Sequence, residues 1–149
     1  MAAPAASAIE ARIRDSFARQ RAMATIGAAI VAVREGEVEI VLPFSAALTQ
    51  QHGFIHAGMI ATIADTACGY AALTVMPEEA AVLTTEFKVN LLSPAQGERM
   101  IASGRVIRPG RKLVVCLGEV YAESDGRRKQ VALMTASMMV IDIATGLKD

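Results

Sequence analysis

The stretch HAGMIATIADTACGYAALTVM, His56 to Met76, is stopped by Pro77 and carries small or apolar residues around almost its whole circumference. Thr62, Asp65, Thr66 and Thr74 interrupt it, too few to build a polar face. The pattern predicts a central helix from Ala57 to about Met76, buried on nearly all sides. Such a helix needs more cover than one sheet face supplies, and a second subunit is the obvious source.

On its C-terminal side the chain turns strand-like four times: Ala81 to Leu92, Arg99 to Ile107, Lys112 to Glu123 and Gln130 to Ile143. Ser93-Pro94, Pro109-Gly110 and Asp125-Gly126 separate these stretches as turns. On its N-terminal side, Ala28 to Arg34 and Glu37 to Leu42 are rich in Val and Ile and meet across Glu35-Gly36, a hairpin signal. Pro43 to Phe54 is polar and irregular and reads as a loop. Ile9, Ile13 and Phe17 recur at fourfold spacing among charged residues, which predicts an N-terminal helix from about 9 to 23, with Ser7 as its cap and Glu10 three residues on. The order is helix, two strands, long helix, four strands. It predicts one α+β domain over residues 1–149, an antiparallel sheet wrapped around the apolar helix.

Composition removes several classes of function. Lys+Arg 15 against Asp+Glu 15 gives zero formal charge, so no global field favours nucleic acid or an anionic membrane surface. The longest candidate span outside the central helix, Ala22 to Val33, contains Thr25 and Gly27 and falls short of the roughly 20 residues that cross a bilayer. Glu10, Arg12, Arg14 and Asp15 stand where a secretory signal would be apolar. Cys68 and Cys116 form neither a metal pattern nor a disulfide framework, and a reducing cytoplasm is the expected setting. GxSxG, HExxH, GxGxxG and GxxxxGK are missing, and two histidines with scattered carboxylates make no zinc set, so neither cofactor nor metal is expected.

Asp65 is the outlier. A carboxylate in mid-helix cannot cap a terminus, and burying its charge unpaired costs several kcal/mol. It needs a partner, water or a chemical task; Thr62 and Thr66 are the nearest hydroxyls that could merely fix its packing. His56, Ala57 and Gly58 sit where the helix starts, and a first turn offers unpaired N–H groups and partial positive charge. Gly58 also permits close approach, and His56 could equally hold its own loop.

The run from Gln50 to Ala72, with H-A-G-M-I-A-T-I-A-D-T-A from His56 to Ala67, resembles the H-G-G-x-x-x-x-x-x-D signature of hotdog-fold acyl-CoA thioesterases of the phenylacetic-acid-degradation (PaaI-like) type. The resemblance continues through T-T-E-F-K-V-N-L-L-S-P-A, Thr84 to Ala95, and R-V-I-R-P-G-R-K, Arg105 to Lys112. It implies a hotdog fold, in which a sheet wraps a long helix and two such sheets join in a dimer.

It also implies roles. Asp65 stands at the family's catalytic carboxylate, general base on water or nucleophile toward the thioester carbonyl. The backbone N–H beside His56, at Ala57 or Gly58, stands at the oxyanion-polarising position. Gln50 falls where many relatives have an Asn that holds the water or thioester, and Thr84 where they place a hydroxyl near that water. Ala57 replaces a Gly, a change that keeps the backbone N–H. Gln50 is longer than Asn and displaces its amide by about 1.5 Å. Hydratases of the same fold carry His five residues after the Asp; here that place holds Tyr70. A noncatalytic acyl-CoA or aromatic-ligand binding protein is the alternative from another class.

Two further expectations concern the site. Asp65 lies seven residues beyond Gly58, about 10 Å along one helix, whereas a thioester carbonyl must touch both groups at about 3 Å. Two protomers with antiparallel central helices resolve this by building two shared sites, and a dimer of dimers remains open. Arg108, Arg111 and Lys112 flank the Pro109-Gly110 turn and are the expected contacts for CoA phosphates, with a solvated hairpin tip as the alternative. Strand alternation puts Thr84, Glu86, Lys88 and Asn90 on one face and Thr85, Phe87, Val89 and Leu91 on the other, which leaves open which threonine meets Asp65. Met59, Phe54, Met76 and Leu83 are candidates for an acyl pocket or for plain core.

Overall fold

A computed structural model describes residues 6–147 and 149. Helix α1 spans Ala6–Ala18 and α2 Arg21–Ile26. Strands β1 (Ala29–Arg34) and β2 (Glu37–Pro43) form the hairpin, and the loop behind it contains a 3-10 turn at Ala46–Leu48. Helix α3 spans Ala57–Leu73. The remaining strands are β3 (Ala81–Leu91), β4 (Arg99–Pro109), β5 (Leu113–Ser124) and β6 (Arg127–Ile141).

All six strands join one antiparallel sheet in the order β1-β2-β4-β5-β6-β3, and α3 lies across its inner face. This is the hotdog arrangement, with β3 and β1 at the two edges. The β5–β6 turn takes positive φ at both Asp125 (51°) and Gly126 (71°), the tight hairpin geometry that an Asp-Gly pair supplies.

Helix and sheet meet almost backbone to backbone. An added Cβ at Gly104 of β4 would sit 2.3 Å from the Ala67 carbonyl carbon, and one at Gly118 of β5 would sit 3.0 Å from Cys68 Sγ. Ala64, Ala67 and Ala71 on the facing side of α3 are fully buried, so small residues on both layers set this spacing. Gly104→Ala forces a methyl into the backbone of α3 and is expected to cost about 3 kcal/mol, measured as a lowered denaturation midpoint at unchanged m-value.

Two expectations are corrected here. The N-terminal helix is two helices, broken at Arg19-Gln20, because Gln20 leaves helical geometry to become the N-cap of α2. The described helix is already formed at Ala6, so Ser7 lies within it rather than capping it. Helix α3 is buried on nearly all sides, as its pattern predicts, and Gly58, Thr62, Asp65 and Gly69, spaced 4, 3 and 4 residues apart, form a half-buried stripe along the remaining face. Thr62 and Asp65 lie on that stripe, whereas Thr66 and Tyr70 are buried.

Candidate active site

Asp65 sits near the middle of that stripe. Its Oδ1 accepts a hydrogen bond from Thr84 Oγ1 at 2.7 Å, from the edge strand β3. Thr62 Oγ1 donates instead to Gly58 O at 2.7 Å, and Thr66 Oγ1 to Gln20 Oε1 at 3.4 Å, so neither flanking hydroxyl serves the carboxylate. Among the described residues no cation pairs with Asp65. Burial pushes its pKa above the ordinary 3.8, and the Thr84 bond, which favours the charged form, offsets part of that rise.

A bulge decides which threonine meets the acid. Thr84 pairs with Met138 and Glu86 with Ser137, so Thr85 is the extra residue. Phe87 then pairs with buried Ala136 and Val89 with buried Met134, which places Thr84 on the inner face with Phe87, Val89 and Leu91. The strand is not a simple alternation, and the face shared by Thr84 and Glu86 does not exist. Thr85 Oγ1 donates to Ser137 O at 3.1 Å, away from the acid.

At the helix start, His56 is the N-cap of α3, and its Nδ1 accepts the Gly58 N–H at 2.8 Å. An added Cβ at Gly58 would lie 3.0 Å from that nitrogen, so the glycine makes room for the cap. With Gly58 N–H engaged, Ala57 is the remaining expected donor. It is the first helical residue, and among the described residues its N–H has no hydrogen bond. Gln50 lines the same opening, its Oε1 accepting from the backbone N–H of His52, which leaves its amide NH₂ as a donor.

The two halves open into different cavities. Ala57, Gln50, Phe54, Ile60 and Leu91 line one of about 400 Å³. Asp65, Thr84, Thr66, Gly69, Tyr70 and Gln20 line another of about 110 Å³, to which Asp149 also contributes. Arg111 and Lys112 line a third, of about 420 Å³, beside Glu79 and Asp142; Arg108 is exposed outside it. Phe54 is thus at a cavity, Met76 is buried in the core, Met59 packs against it, and Leu83 is 51% exposed on β3.

Sequence reading missed Gln20, Ser16 and Tyr70. Tyr70 OH lies 3.2 Å from Ser16 Oγ and accepts from Gln20 Nε2 at 3.5 Å, beside the Asp65 cavity. The only signal was Tyr70, a phenol in an otherwise apolar helix. Burial pushes both thiols up, Cys116 to about 12, so neither provides a thiolate at neutral pH. Among the described residues no three His, Cys, Asp or Glu side chains cluster as a metal site, and no helix is long and apolar enough to cross a membrane.

Comparison with known proteins agrees with the fold. The thioesterase superfamily profile matches residues 52–129. The crystal structure of a thioesterase family protein from Silicibacter pomeroyi is 53% identical and superposes with a TM-score of 0.88 over 89% of this chain and 98% of that one. The E. coli PaaI protein of the phenylacetic acid degradation operon, 20% identical, shares the fold with a TM-score of 0.83 over 92% and 96% of the two chains. A Halobacterium salinarum protein named as a candidate esterase is 31% identical over 105 residues, 67% of this chain and 69% of that one. The chain belongs to the thioesterase superfamily, as a PaaI-like thioester hydrolase of the hotdog fold.

Proposed function

We propose that the protein hydrolyses acyl-CoA thioesters at two equivalent sites of a homodimer, each combining Asp65 of one protomer with the Ala57 N–H of the other. The observation that carries this is the division of the machinery: the acid and the Ala57 amide are about 12 Å apart along α3 and open into separate cavities. A single chain cannot bring both to one carbonyl.

Edge strand β3 supports the pairing. It ends the sheet, it lines the acid's cavity through Thr84 and the amide's cavity through Leu91, and it exposes Phe87 and Leu91 at 45% and 54%. An unpaired apolar edge invites a second copy. Antiparallel pairing of β3 with itself, centred between those residues, would carry the acid of one protomer toward the amide of its partner.

In this mechanism the Ala57 N–H polarises the thioester carbonyl and stabilises the oxyanion as it forms. The ionised Asp65 carboxylate takes a proton from water as the oxygen adds to the carbonyl carbon, or adds to that carbon itself to give, once the thiolate leaves, a mixed anhydride that water then cleaves to the free acid and the regenerated carboxylate. Collapse of the tetrahedral intermediate breaks the C–S bond, and CoA leaves as a thiolate, which needs no strong general acid. Label from H₂¹⁸O found in Asp65 after a single turnover marks the nucleophilic route. Thr84 is a positioning residue: it fixes one carboxylate oxygen and leaves the other free. Arg111 and Lys112, with Arg108 beyond them, would meet the CoA phosphates, and Gln50 would bond the thioester from its free NH₂. The two free thiols suit a reducing cytoplasm.

Mixed dimers test the proposal. Asp65→Asn and Ala57→Pro chains, each inactive alone, rebuild one intact site when paired, so a randomly mixed population recovers about a quarter of wild-type CoA release. No recovery, with heterodimers verified by mass, would refute the shared site; ligand binding without thiol release from the wild type would make the protein a binding module. Thr84→Val removes a bond that favours the carboxylate. Its acid limb in kcat/KM against pH is expected to move to higher pH, with a loss of roughly tenfold at neutral pH.

A further inference from the structure

Gly69 lies four residues after Asp65 on α3, about 6 Å along the axis and on the same face. Glycine is costly in a helix interior and is usually explained by a close neighbour. Gly104 and Gly118 have such neighbours, but a Cβ added at Gly69 would meet nothing within 4 Å. Packing within the chain does not require this glycine. What it does is leave room, because it lines the cavity that holds Asp65 and Thr84.

The far wall of that room is polar. Tyr70 and Thr66 line it and are only 5% and 8% exposed, and Ser16 behind Tyr70 is 6% exposed. Their mutual contacts, with Gln20 as bridge, span 3.2 to 3.5 Å. Hydroxyl bonds are normally 2.7 to 2.8 Å, so these buried groups keep hydrogen-bonding capacity for a ligand atom. At about 110 Å³ the cavity has space for roughly four water-sized groups at about 30 Å³ each.

Resting on the assignment of Asp65 as the acid, we infer that this cavity is the acyl subsite and that it selects a short acyl group with a hydroxyl near its end. Gly69 sets the length, and Tyr70 with Gln20 and Thr66 receives the hydroxyl. A four-carbon hydroxyacyl-CoA fits; a long fatty chain exceeds the volume and meets a lining in which Val82 is the only aliphatic side chain among the described residues. Tyr70 thereby takes a specificity role five residues beyond the acid on the same helix.

The test compares kcat/KM for acetyl-, butyryl-, 3-hydroxybutyryl- and octanoyl-CoA in the wild type, Tyr70→Phe, Gly69→Ala and Asp65→Asn. The wild type is expected to favour 3-hydroxybutyryl- over butyryl-CoA by roughly tenfold, the worth of one satisfied buried hydrogen bond, and to be poorest on octanoyl-CoA. Tyr70→Phe, which keeps the ring against Phe17 (5.8 Å between centroids), brings that ratio toward one. Gly69→Ala raises the acetyl-to-butyryl ratio at least fivefold, with the dimer intact by light scattering. Equal wild-type rates on the hydroxylated and plain substrates, a preference that survives Tyr70→Phe, or a Gly69→Ala effect equal on all substrates or tied to dimer loss would overturn the subsite while leaving Asp65 in place. Full activity in Asp65→Asn would instead remove the assignment on which it rests.

Discussion

Asp65→Asn is expected to lower kcat/KM on acyl-CoA by roughly 10²- to 10⁴-fold, the range over which a positioned base contributes, while the chain gains stability at neutral pH. The amide keeps the shape of the carboxyl and can still accept from Thr84 Oγ1. It cannot take a proton from water or add to a carbonyl. The gain in stability follows from linkage. Burial holds the folded-state pKa of Asp65 above its ordinary 3.8, so the folded chain binds this proton more tightly than the unfolded chain. Ionised Asp65 therefore costs stability above the folded pKa, and the cost fades as pH falls through that value toward 3.8. The asparagine variant has no such charge to bury. Its Tm is expected to exceed the wild type's at neutral pH, with the difference shrinking through that acidic window. Asp149 lines the same cavity, so the profile is best repeated with Asp149→Asn to separate the two carboxyls. A variant less stable at every pH would mean that the charge is well compensated and the acid is a structural element.

Ala57→Pro is the complementary experiment, because it deletes one hydrogen and little else. Proline is well tolerated at the first helical position, where the N–H has no intrahelical partner. The residue before a proline must be extended, and His56 already is, at φ −59° and ψ 137°. The His56 cap to Gly58 N–H does not involve the substituted atom. Helix and dimer are thus expected to persist, while kcat falls about 10²- to 10³-fold, the usual loss for one oxyanion donor. The decisive comparison is Ala57→Ser, which restores the N–H with a side chain of similar size and should recover most of the rate. Circular dichroism and light scattering check the fold and assembly in both variants. If Ala57→Pro retains full activity, the donor is another group, and Gln50 Nε2 in the same cavity is the next to test.

The family relationship and the site inform each other in a specific way. The superfamily match begins at residue 52 and so covers the α3 start, the acid and β3, but not α1 and α2. The N-terminal helices nevertheless reach the candidate site. Gln20, at the break between them, touches both Thr66 and Tyr70, and Arg12 donates to Ala80 O at 2.8 Å just before β3. Variation in this N-terminal segment is therefore a direct route to altering the acyl subsite without disturbing Asp65 or Thr84.

The helix from Ala57 onward, the hairpin, the four later strands and the candidacy of Asp65 are legible in the order of residues alone. Each is written in local periodicity or in a single carboxylate among apolar neighbours, and local patterns do not depend on what packs beside them. Folding of the sheet against the helix, not the local pattern, selected Thr84 over Thr85 as the partner of the acid, because a bulge inserts one residue without altering the residue types on either side. It also decided that His56 engages Gly58 N–H and leaves Ala57 as the open donor, a matter of imidazole orientation at one turn. The break at Gln20 and the polar wall around Tyr70 arise from contacts between residues 46 to 54 positions apart, which no window along the chain can contain. Side-chain type and spacing announce that a charge must be accommodated; the layers folded against it choose the atoms that do so.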